Sequence, residues 1–195
     1  LRRRSGHTLT DVRIGVVGAT GAVGTVTLDL LAERGLESVR GFASARSAGR
    51  TVGFGNRELL VEEATPEVLA AGDLDLAFFS VGTDASRKLV PHAVRGGAVV
   101  IDKSDAYRLQ DGIPLVVAGV NDHVLNGDQI VANPNCSAMQ LACVLEPLRK
   151  AAGLARVRLA TYQSASGAGD AGIEKLRANG PAEGNLGMDW QLDGG

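Results

Sequence analysis

The 195-residue sequence has only 2 cysteines, almost no net charge and no long hydrophobic run. Cys136 and Cys143 lie in a segment that we predict to be helical. Seven residues of helix separate their Cα atoms by about 10 Å, beyond the roughly 7 Å that a disulfide can span. We therefore expect both cysteines to be free thiols.

Lysine plus arginine number 20 and aspartate plus glutamate number 22, which gives a net charge of −2. Such a chain has no overall field that would attract nucleic acid or an anionic membrane. No window approaches the roughly 18 apolar residues of a membrane span. The three N-terminal arginines, at positions 2–4, precede polar residues rather than an apolar signal core. We predict a cytoplasmic protein with a small-molecule partner, and no nucleic-acid or membrane partner.

Hydrophobic residues make up 45% of the sequence and charged residues 22%, which is enough apolar content for a globular core. Glycine is the residue in excess: the chain has 26, about twice the average usage. We expect these glycines to serve tight turns.

Strand and helix patterns alternate along most of the chain. Residues 1–11 show no pattern, and we predict a flexible tail there. The predicted strands are 12–17, 39–43, a pair within 51–62, 74–80, 98–101, 115–120, 129–132 and 156–163. The predicted helices are 23–33, 65–71, 84–95, 135 or 136 to 150, and 170–178. The alternation predicts an α/β fold with a doubly wound parallel sheet over residues 12–133.

A glycine-rich loop, Gly18-Ala19-Thr20-Gly21-Ala22-Val23-Gly24, joins the first predicted strand to the first predicted helix. The spacing is GxxGxxG, and such a loop lets backbone N–H groups and a helix N-terminus meet a pyrophosphate. An ordinary glycine-rich turn is the alternative. We predict a Rossmann-type nucleotide-binding domain, with cofactor-binding residues Gly18, Thr20, Gly21, Ala22, Val23 and Gly24.

The second predicted strand indicates which dinucleotide this loop would take. Proteins that prefer NAD carry an acid about 20 residues after the glycines, to bind the ribose 2′-hydroxyl. This sequence has Ser44, Arg46 and Ser47 there instead, and hydroxyls with a guanidinium suit a 2′-phosphate. We predict NADP(H) as the cofactor; the alternative is that Arg46 is a solvated loop charge.

Cys136 stands where the helix to residue 150 is predicted to begin. The positive end of a helix dipole favours a thiolate, so Cys136 is a candidate nucleophile. A small buried packing residue is the alternative, which suits Cys143 better because it shares a face with Leu141, Val144 and Leu148. A thiolate can add to an aldehyde and pass its hydride to a nicotinamide cofactor, which leaves a thioester that phosphate can cleave. The reverse reaction reduces an acyl phosphate to an aldehyde.

From about residue 12 to 178 the sequence resembles the aspartate-semialdehyde dehydrogenases. The resemblance rests on four segments: 18–24, 43–49 (Ala-Ser-Ala-Arg-Ser-Ala-Gly), 133–137 (Asn-Pro-Asn-Cys-Ser) and 162–169 (Tyr-Gln-Ser-Ala-Ser-Gly-Ala-Gly). It implies NADPH-dependent, reversible reduction of L-aspartyl 4-phosphate to L-aspartate 4-semialdehyde with release of phosphate, in lysine, threonine and methionine biosynthesis.

By this resemblance Cys136 is the acyl-carrying nucleophile, Asn135 orients substrate and phosphate, and Gln163 positions the intermediate. Arg108 matches the family's phosphate-binding arginine, whose planar fork suits a tetrahedral anion. The chain departs from the family at Lys103, where asparagine is frequent, at Asp105, where serine is frequent, and after Ser137, where threonine is common. No metal is implied.

The family's catalytic histidine and second substrate-binding arginine lie further along the chain than the Gln163 loop, and none of His7, His92 and His123 matches that histidine. The resemblance makes residues 134–195 the first part of an α+β catalytic and dimerisation domain. A missing general base should cost about 10² to 10⁴ in rate, so we expect the 195 residues alone not to turn over. The resemblance also implies a homodimer, or a dimer of dimers, at full length.

Two other functions remain open at this point. One is an N-acetyl-glutamyl-phosphate reductase type of enzyme, which shares the chemistry; Asn135 before the cysteine, where that type has glycine, and the Gln163 loop argue against it. The other is a non-catalytic NADP-binding protein.

Overall fold

The computed structural model describes residues 11–161, 164–165 and 169–179. The predicted N-terminal tail falls almost entirely outside these residues. In chain order the elements are β1 Ile14–Val17, α1 Ala22–Glu33, β2 Val39–Ala43, β3 Thr51–Phe54, β4 Arg57–Glu63, α2 Pro66–Leu69, β5 Leu76–Phe79, α3 Thr83–Arg95, β6 Val99–Asp102, a 3-10 turn Asp122–Val124, β7 Ile130–Ala132, α4 Cys136–Ala152 and α5 Gly169–Asn179.

The strands form one 7-stranded sheet in the order β3-β4-β2-β1-β5-β6-β7. All neighbours pair in parallel except β3, which pairs antiparallel with β4 at one edge. The chain builds outward from β1 to β2 and β4, and then returns to the other side of β1 with β5. The reversal of strand order between β1 and β5 confirms the predicted doubly wound Rossmann-type fold.

Side chains of successive strand residues point to opposite faces of the sheet and form two cores. Val16 packs on the α1 side with Leu28, Leu31 and Phe54. Val17 packs on the other side with core residues that include Phe42, Phe79, Leu89, Val90 and Val100. Because strands buried on both faces need apolar residues at every position, β1 has no polar side chain.

Residues 115–120 were predicted as a strand, and that prediction is wrong. Only Leu115 forms a single bridge, to Ala132 of β7. The side chain of Asn121 takes the bonds that a longer strand would make: its Oδ1 accepts from the Val117 N–H at 2.8 Å, and its Nδ2 donates to the Leu115 carbonyl at 2.9 Å. Gly119, with a φ of 80°, then turns the chain.

The predicted strand at 156–163 is also absent from its described part, since residues 153–161 form neither strand nor helix. An apolar alternation forms a strand only if another strand supplies hydrogen bonds, and within the described residues none pairs with this segment. Cys143 was expected in a packed apolar face. It is exposed, and so are Val144 and Leu148 at 60% and 52%.

The chain divides into two compact units, one ending at Cys143 and one beginning at Val144. The domain boundary predicted at residue 134 stays a prediction. Across the described part of the chain, no helix is long and apolar enough to cross a membrane. Neither cysteine forms a disulfide within the described residues, in agreement with the prediction.

Candidate functional site

The predicted site residues that the structure describes gather at the carboxyl edge of the parallel sheet. The glycine loop follows β1, the serine-arginine turn follows β2, Arg108 follows β6 and Cys136 follows β7. In open α/β sheets, ligands bind outside the carboxyl ends of the strands, at the point where strand order reverses. Here that point lies between β1 and β5.

The glycine loop is built so that backbone can approach backbone. Gly18 has a φ of 89°, and a Cβ on it would lie 2.3 Å from the carbonyl oxygen of Ser80. A Cβ on Gly24 would lie 2.0 Å from the carbonyl oxygen of Gly18. These two positions need glycine for the close packing of α1, β1 and β5. Gly21, the N-cap of α1, meets only the Gly18 carbonyl at 3.4 Å and is open on its other sides.

The N-terminus of α1 has no side-chain cap among the described residues. Its first turn contains no acidic residue. The first N–H groups of a helix have no partner within the helix. This end of α1 therefore suits an anion such as a pyrophosphate.

Hydrogen bonds attach the glycine loop to the end of β2. The backbone N–H groups of Gly18 and Ala19 donate to the Phe42 carbonyl at 2.8 and 3.0 Å. The turn that starts at Ser44 follows two residues later, closed by bonds from the N–H groups of Ser47 and Ala48 to the Ser44 carbonyl. Ser44 and Arg46 are exposed and Ser47 is buried.

Arg108 lies directly beside the cysteine segment. Its Nε donates to the Asn133 carbonyl at 2.8 Å, and its Nη2 donates to the Lys103 carbonyl at 3.0 Å. The guanidinium is therefore bound to the backbone of Asn133, which precedes Cys136 by three residues in the sequence. Asn133 is itself held, because its N–H donates to the Asp102 carbonyl at 2.8 Å.

Cys136 is the first residue of α4, and its thiol is exposed. Asn135 precedes it in the N-cap position: its Oδ1 accepts from the Ser137 N–H at 2.9 Å. The same Oδ1 lies 3.8 Å from the Cys136 sulfur, which donates to it. The predicted helix N-terminus at the cysteine is confirmed, and Asn135 is placed to orient the thiol.

The sequence interpretation missed a turn at the end of β5 and a buried carboxylate at the end of β6. Ser80 ends β5 against Gly18, and its hydroxyl is buried without a hydrogen-bond partner among the described residues. Gly82 caps α3 with no side-chain bond. The signal was a buried apolar strand followed by Ser80-Val81-Gly82. A parallel strand of this kind ends at the same edge of the sheet as the glycine loop.

Asp102 is fully buried, at 0% exposure, and accepts from the hydroxyls of Ser86 at 2.6 Å and Ser104 at 2.7 Å. It therefore connects α3 to the loop that carries Arg108. Asp105 lies in the same loop, where its carboxylate accepts from the Thr83 hydroxyl of α3, and this bond lowers the pKa of the Asp105 carboxyl.

These observations together test whether a dinucleotide fits. Gly18 and Gly24 let the loop backbone pack closely against β5 and α1, no described side chain caps the α1 N-terminus, and the Ser80 hydroxyl has no hydrogen-bond partner among the described residues. The residues present fit a dinucleotide. No three metal-ligating side chains come together anywhere in the described residues. Gln163 lies outside the described residues, so its predicted role stays a prediction.

A second concave surface lies at the opposite, amino edge of the sheet. It is lined by Ala32, Gly35, Leu36, Glu37, Phe54, Gly55, Asn56 and Arg57. None of the predicted site residues lies there. The Arg57 guanidinium stacks over the Phe54 ring, 5.0 Å from its centroid, and partly fills the groove.

The fold, together with the groups at the carboxyl edge of the sheet, defines a dinucleotide-binding α/β protein. Residues 13–127 match the profile of the family described as semialdehyde dehydrogenase, NAD binding domain. The chain belongs to the semialdehyde dehydrogenase family.

Comparison with individual proteins points the same way. The chain is 45% identical over 170 residues to an aspartate-semialdehyde dehydrogenase of Bacillus subtilis, a match that covers 85% of this chain and 48% of the relative. The structure is similar to aspartate-semialdehyde dehydrogenase II of Vibrio cholerae, with a TM-score of 0.75 and 38% identity over 92% of this chain and 56% of that one. It is also similar to the aspartate-semialdehyde dehydrogenase of Candida albicans that was solved with NADP. The TM-score is 0.56 and the identity 26%, over 72% of this chain and 47% of that one. The chain spans about half the length of the curated relatives it matches.

Proposed function

We propose that the gene product is an NADP-dependent aspartate-semialdehyde dehydrogenase. It reduces L-aspartyl 4-phosphate to L-aspartate 4-semialdehyde with release of phosphate, and the reaction is reversible. The name shared by its relatives supports the substrate, and the Candida albicans structure with NADP supports the cofactor.

The observation that carries the proposal is the bond between Arg108 and Asn133. It holds a guanidinium next to the segment whose helix begins at a cysteine. An acyl phosphate has two parts that need recognition, an electrophilic carbonyl for the thiol and a phosphate for the arginine. We propose Cys136 for the carbonyl and Arg108 for the phosphate.

In the proposed reaction the Cys136 thiolate attacks the acyl carbonyl of aspartyl phosphate. The carbon–oxygen bond to phosphate breaks, which leaves a thioester on Cys136 and free phosphate held by Arg108. NADPH, when bound, supplies the hydride that reduces this thioester. The carbon–sulfur bond then breaks, and the aldehyde leaves with the thiolate restored. Asn135 orients the thiol, and we propose that Gln163 positions the acyl carbon.

Ser44, Arg46 and Ser47 are proposed to select NADP over NAD. Arg46 is exposed at the carboxyl edge, on the turn after β2. A guanidinium there can bind a 2′-phosphate. The glycine loop, which is hydrogen-bonded to the Phe42 carbonyl near the end of β2, would hold the pyrophosphate of the same molecule.

A matched pair of cysteine variants tests the proposal. In the whole gene product, Cys136→Ser should lower phosphate-dependent NADP reduction with aspartate semialdehyde by about 10³-fold or more, because the nucleophile is lost. Cys143→Ser, which changes an exposed thiol further along the same helix, should leave turnover unchanged.

Intact mass should show an acyl adduct on the wild-type protein and on Cys143→Ser, and none on Cys136→Ser. Wild-type turnover by Cys136→Ser would contradict the proposal. Turnover with N-acetyl-glutamate semialdehyde in place of aspartate semialdehyde would favour the other enzyme type. NADP binding with neither activity would favour a non-catalytic protein. The homodimeric state and the cytoplasmic location stay predictions.

A further inference from the structure

Lys103 is a lysine whose side chain turns inward rather than into solvent. It follows β6, and its Nζ donates to the Thr27 hydroxyl of α1 at 2.7 Å. Its ammonium also lies over the Phe78 ring, 5.6 Å from the centroid. The side chain therefore crosses from the end of β6 to the underside of the helix that begins at the glycine loop.

The surroundings of this ammonium are unfavourable to a charge. Burial lowers the pKa of Lys103 below its ordinary 10.5, and no neighbouring charge contributes to that shift. No carboxylate among the described residues forms an ion pair with Lys103. A desolvated cation without a counter-charge costs free energy unless something compensates for it.

The hydrogen bonds also show where the charge sits. The Thr27 hydroxyl that accepts from Lys103 donates at 2.7 Å to the Val23 carbonyl, in the first turns of α1. The Lys103 ammonium is therefore two hydrogen bonds from the residues of the glycine loop. Because the N-terminus of α1 is itself positive, the Lys103 ammonium and the helix dipole repel each other at this location. An anion at the glycine loop would relieve both unfavourable effects.

We propose that Lys103 is an affinity-determining residue for the anionic cofactor, its ammonium strengthening the positive field at the phosphate-binding end of α1. The inference rests on the proposed NADP site. Lys103 acts through charge at the helix end and makes no direct contact with the reacting atoms.

Titration calorimetry with NADP tests this on the full chain. Lys103→Met removes the charge, keeps most of the side-chain volume and should fold, because it also removes the desolvation cost. With an effective dielectric constant of about 20 and roughly 10 Å between charges, the dissociation constant should rise about tenfold. It should also become less sensitive to salt. Lys103→Arg should bind within about threefold of wild type, since it keeps the charge.

Two further variants separate the charge from other effects. Thr27→Val removes the hydrogen bond and leaves the ammonium, so the loss should be smaller than for Lys103→Met. Lys88→Met removes an exposed lysine of α3 and should change nothing. Equal losses for Lys103→Met and Thr27→Val would show a mechanical tether and overturn the inference. Unchanged affinity and salt dependence in Lys103→Met would overturn it too. If the wild type binds neither NADP nor NAD, the proposed function fails, and the inference fails with it.

Discussion

At the scale of single residues, two glycines and one lysine make contacts that define the structure near the carboxyl edge. Gly18 and Gly24 are fixed by contact, because a methyl group on either would overlap a carbonyl oxygen. The sequence pattern predicted both of them as loop glycines. It could not predict the inward path of Lys103, since that depends on the distance between the end of β6 and Thr27 of α1.

Gly24→Ala should destabilise the chain by about 1–3 kcal/mol and weaken NADP binding, because the new methyl group must push α1 away from the Gly18 backbone. Urea unfolding and calorimetry measure the two effects. Gly53→Ala is the matched control: a Cβ at Gly53 meets nothing within 4 Å, so its change should stay within about 0.5 kcal/mol. Equal stability of the two variants would contradict the packing described for the loop.

The lowered pKa of Lys103 predicts how stability depends on pH. Between that lowered pKa and 10.5, the unfolded chain binds the proton of Lys103 more tightly than the folded chain does. The free energy of unfolding should therefore rise with pH across this window, and the gain should be complete above 10.5.

Lys103→Met lacks this proton and is the reference for the measurement. Urea unfolding of both proteins, without cofactor, should show the wild type gaining stability relative to the variant as the pH rises toward 10.5. A difference that stays constant would mean that the Lys103 ammonium is solvated in the folded chain, and one that falls with pH would mean that folding stabilises the ammonium. Either result would contradict the burial described for Lys103.

At the scale of elements, the loop after β6 connects the pieces of the candidate site. Its residues reach Thr27 in α1, Ser86 and Thr83 in α3, and Asn133 before α4. The sequence alone identified Arg108 only through its resemblance to a family. The bonds from Ser86 to Asp102 and from Lys103 to Thr27 join residues far apart in sequence. No local sequence pattern could therefore predict them.

The bond between Ser86 and Asp102 should contribute measurably to stability. Ser86→Ala leaves the fully buried carboxylate with one hydroxyl fewer, and the expected loss is about 1–2 kcal/mol. The phosphate dependence of turnover should weaken as well, since Asp102 also holds the loop that carries Arg108. Ser38→Ala, at an exposed position, is the control in chemical denaturation. A loss no larger than that of the control would show that the Asp102 carboxylate does not depend on Ser86.

The elements that the sequence predicted correctly are those with a strong local signal. The strand segments 39–43 and 74–80 are mostly apolar, and the predicted helix 84–95 begins shortly after a glycine. They appear as β2, β5 and α3. The two wrong strands fail for reasons of context. Asn121 captures the backbone groups of residues 115 and 117, and residues 156–161 find no strand to pair with in the described part of the chain.

At the scale of the whole molecule, the alternation of strands and helices was sufficient to predict a doubly wound sheet. Few sheet topologies are possible for parallel strands that are joined by crossover helices. The strand order then follows from the reversal after β4, and it brings the glycine loop and the Ser80 turn to the same place. The second unit, from Val144 onward, was predicted less well, because the strand predicted at 156–163 is absent from its described part. The only regular element described after α4 is α5.

The central claim is that the carboxyl edge binds NADP in preference to NAD. A backbone amide NMR titration of the full chain tests it most directly, because it reports affinity and location together. NADP should bind more tightly than NAD, and its largest shifts should fall on residues 18–24, 44–47 and 80–83. Tighter binding of NAD, or shifts confined to the groove at Phe54–Arg57, would contradict the account.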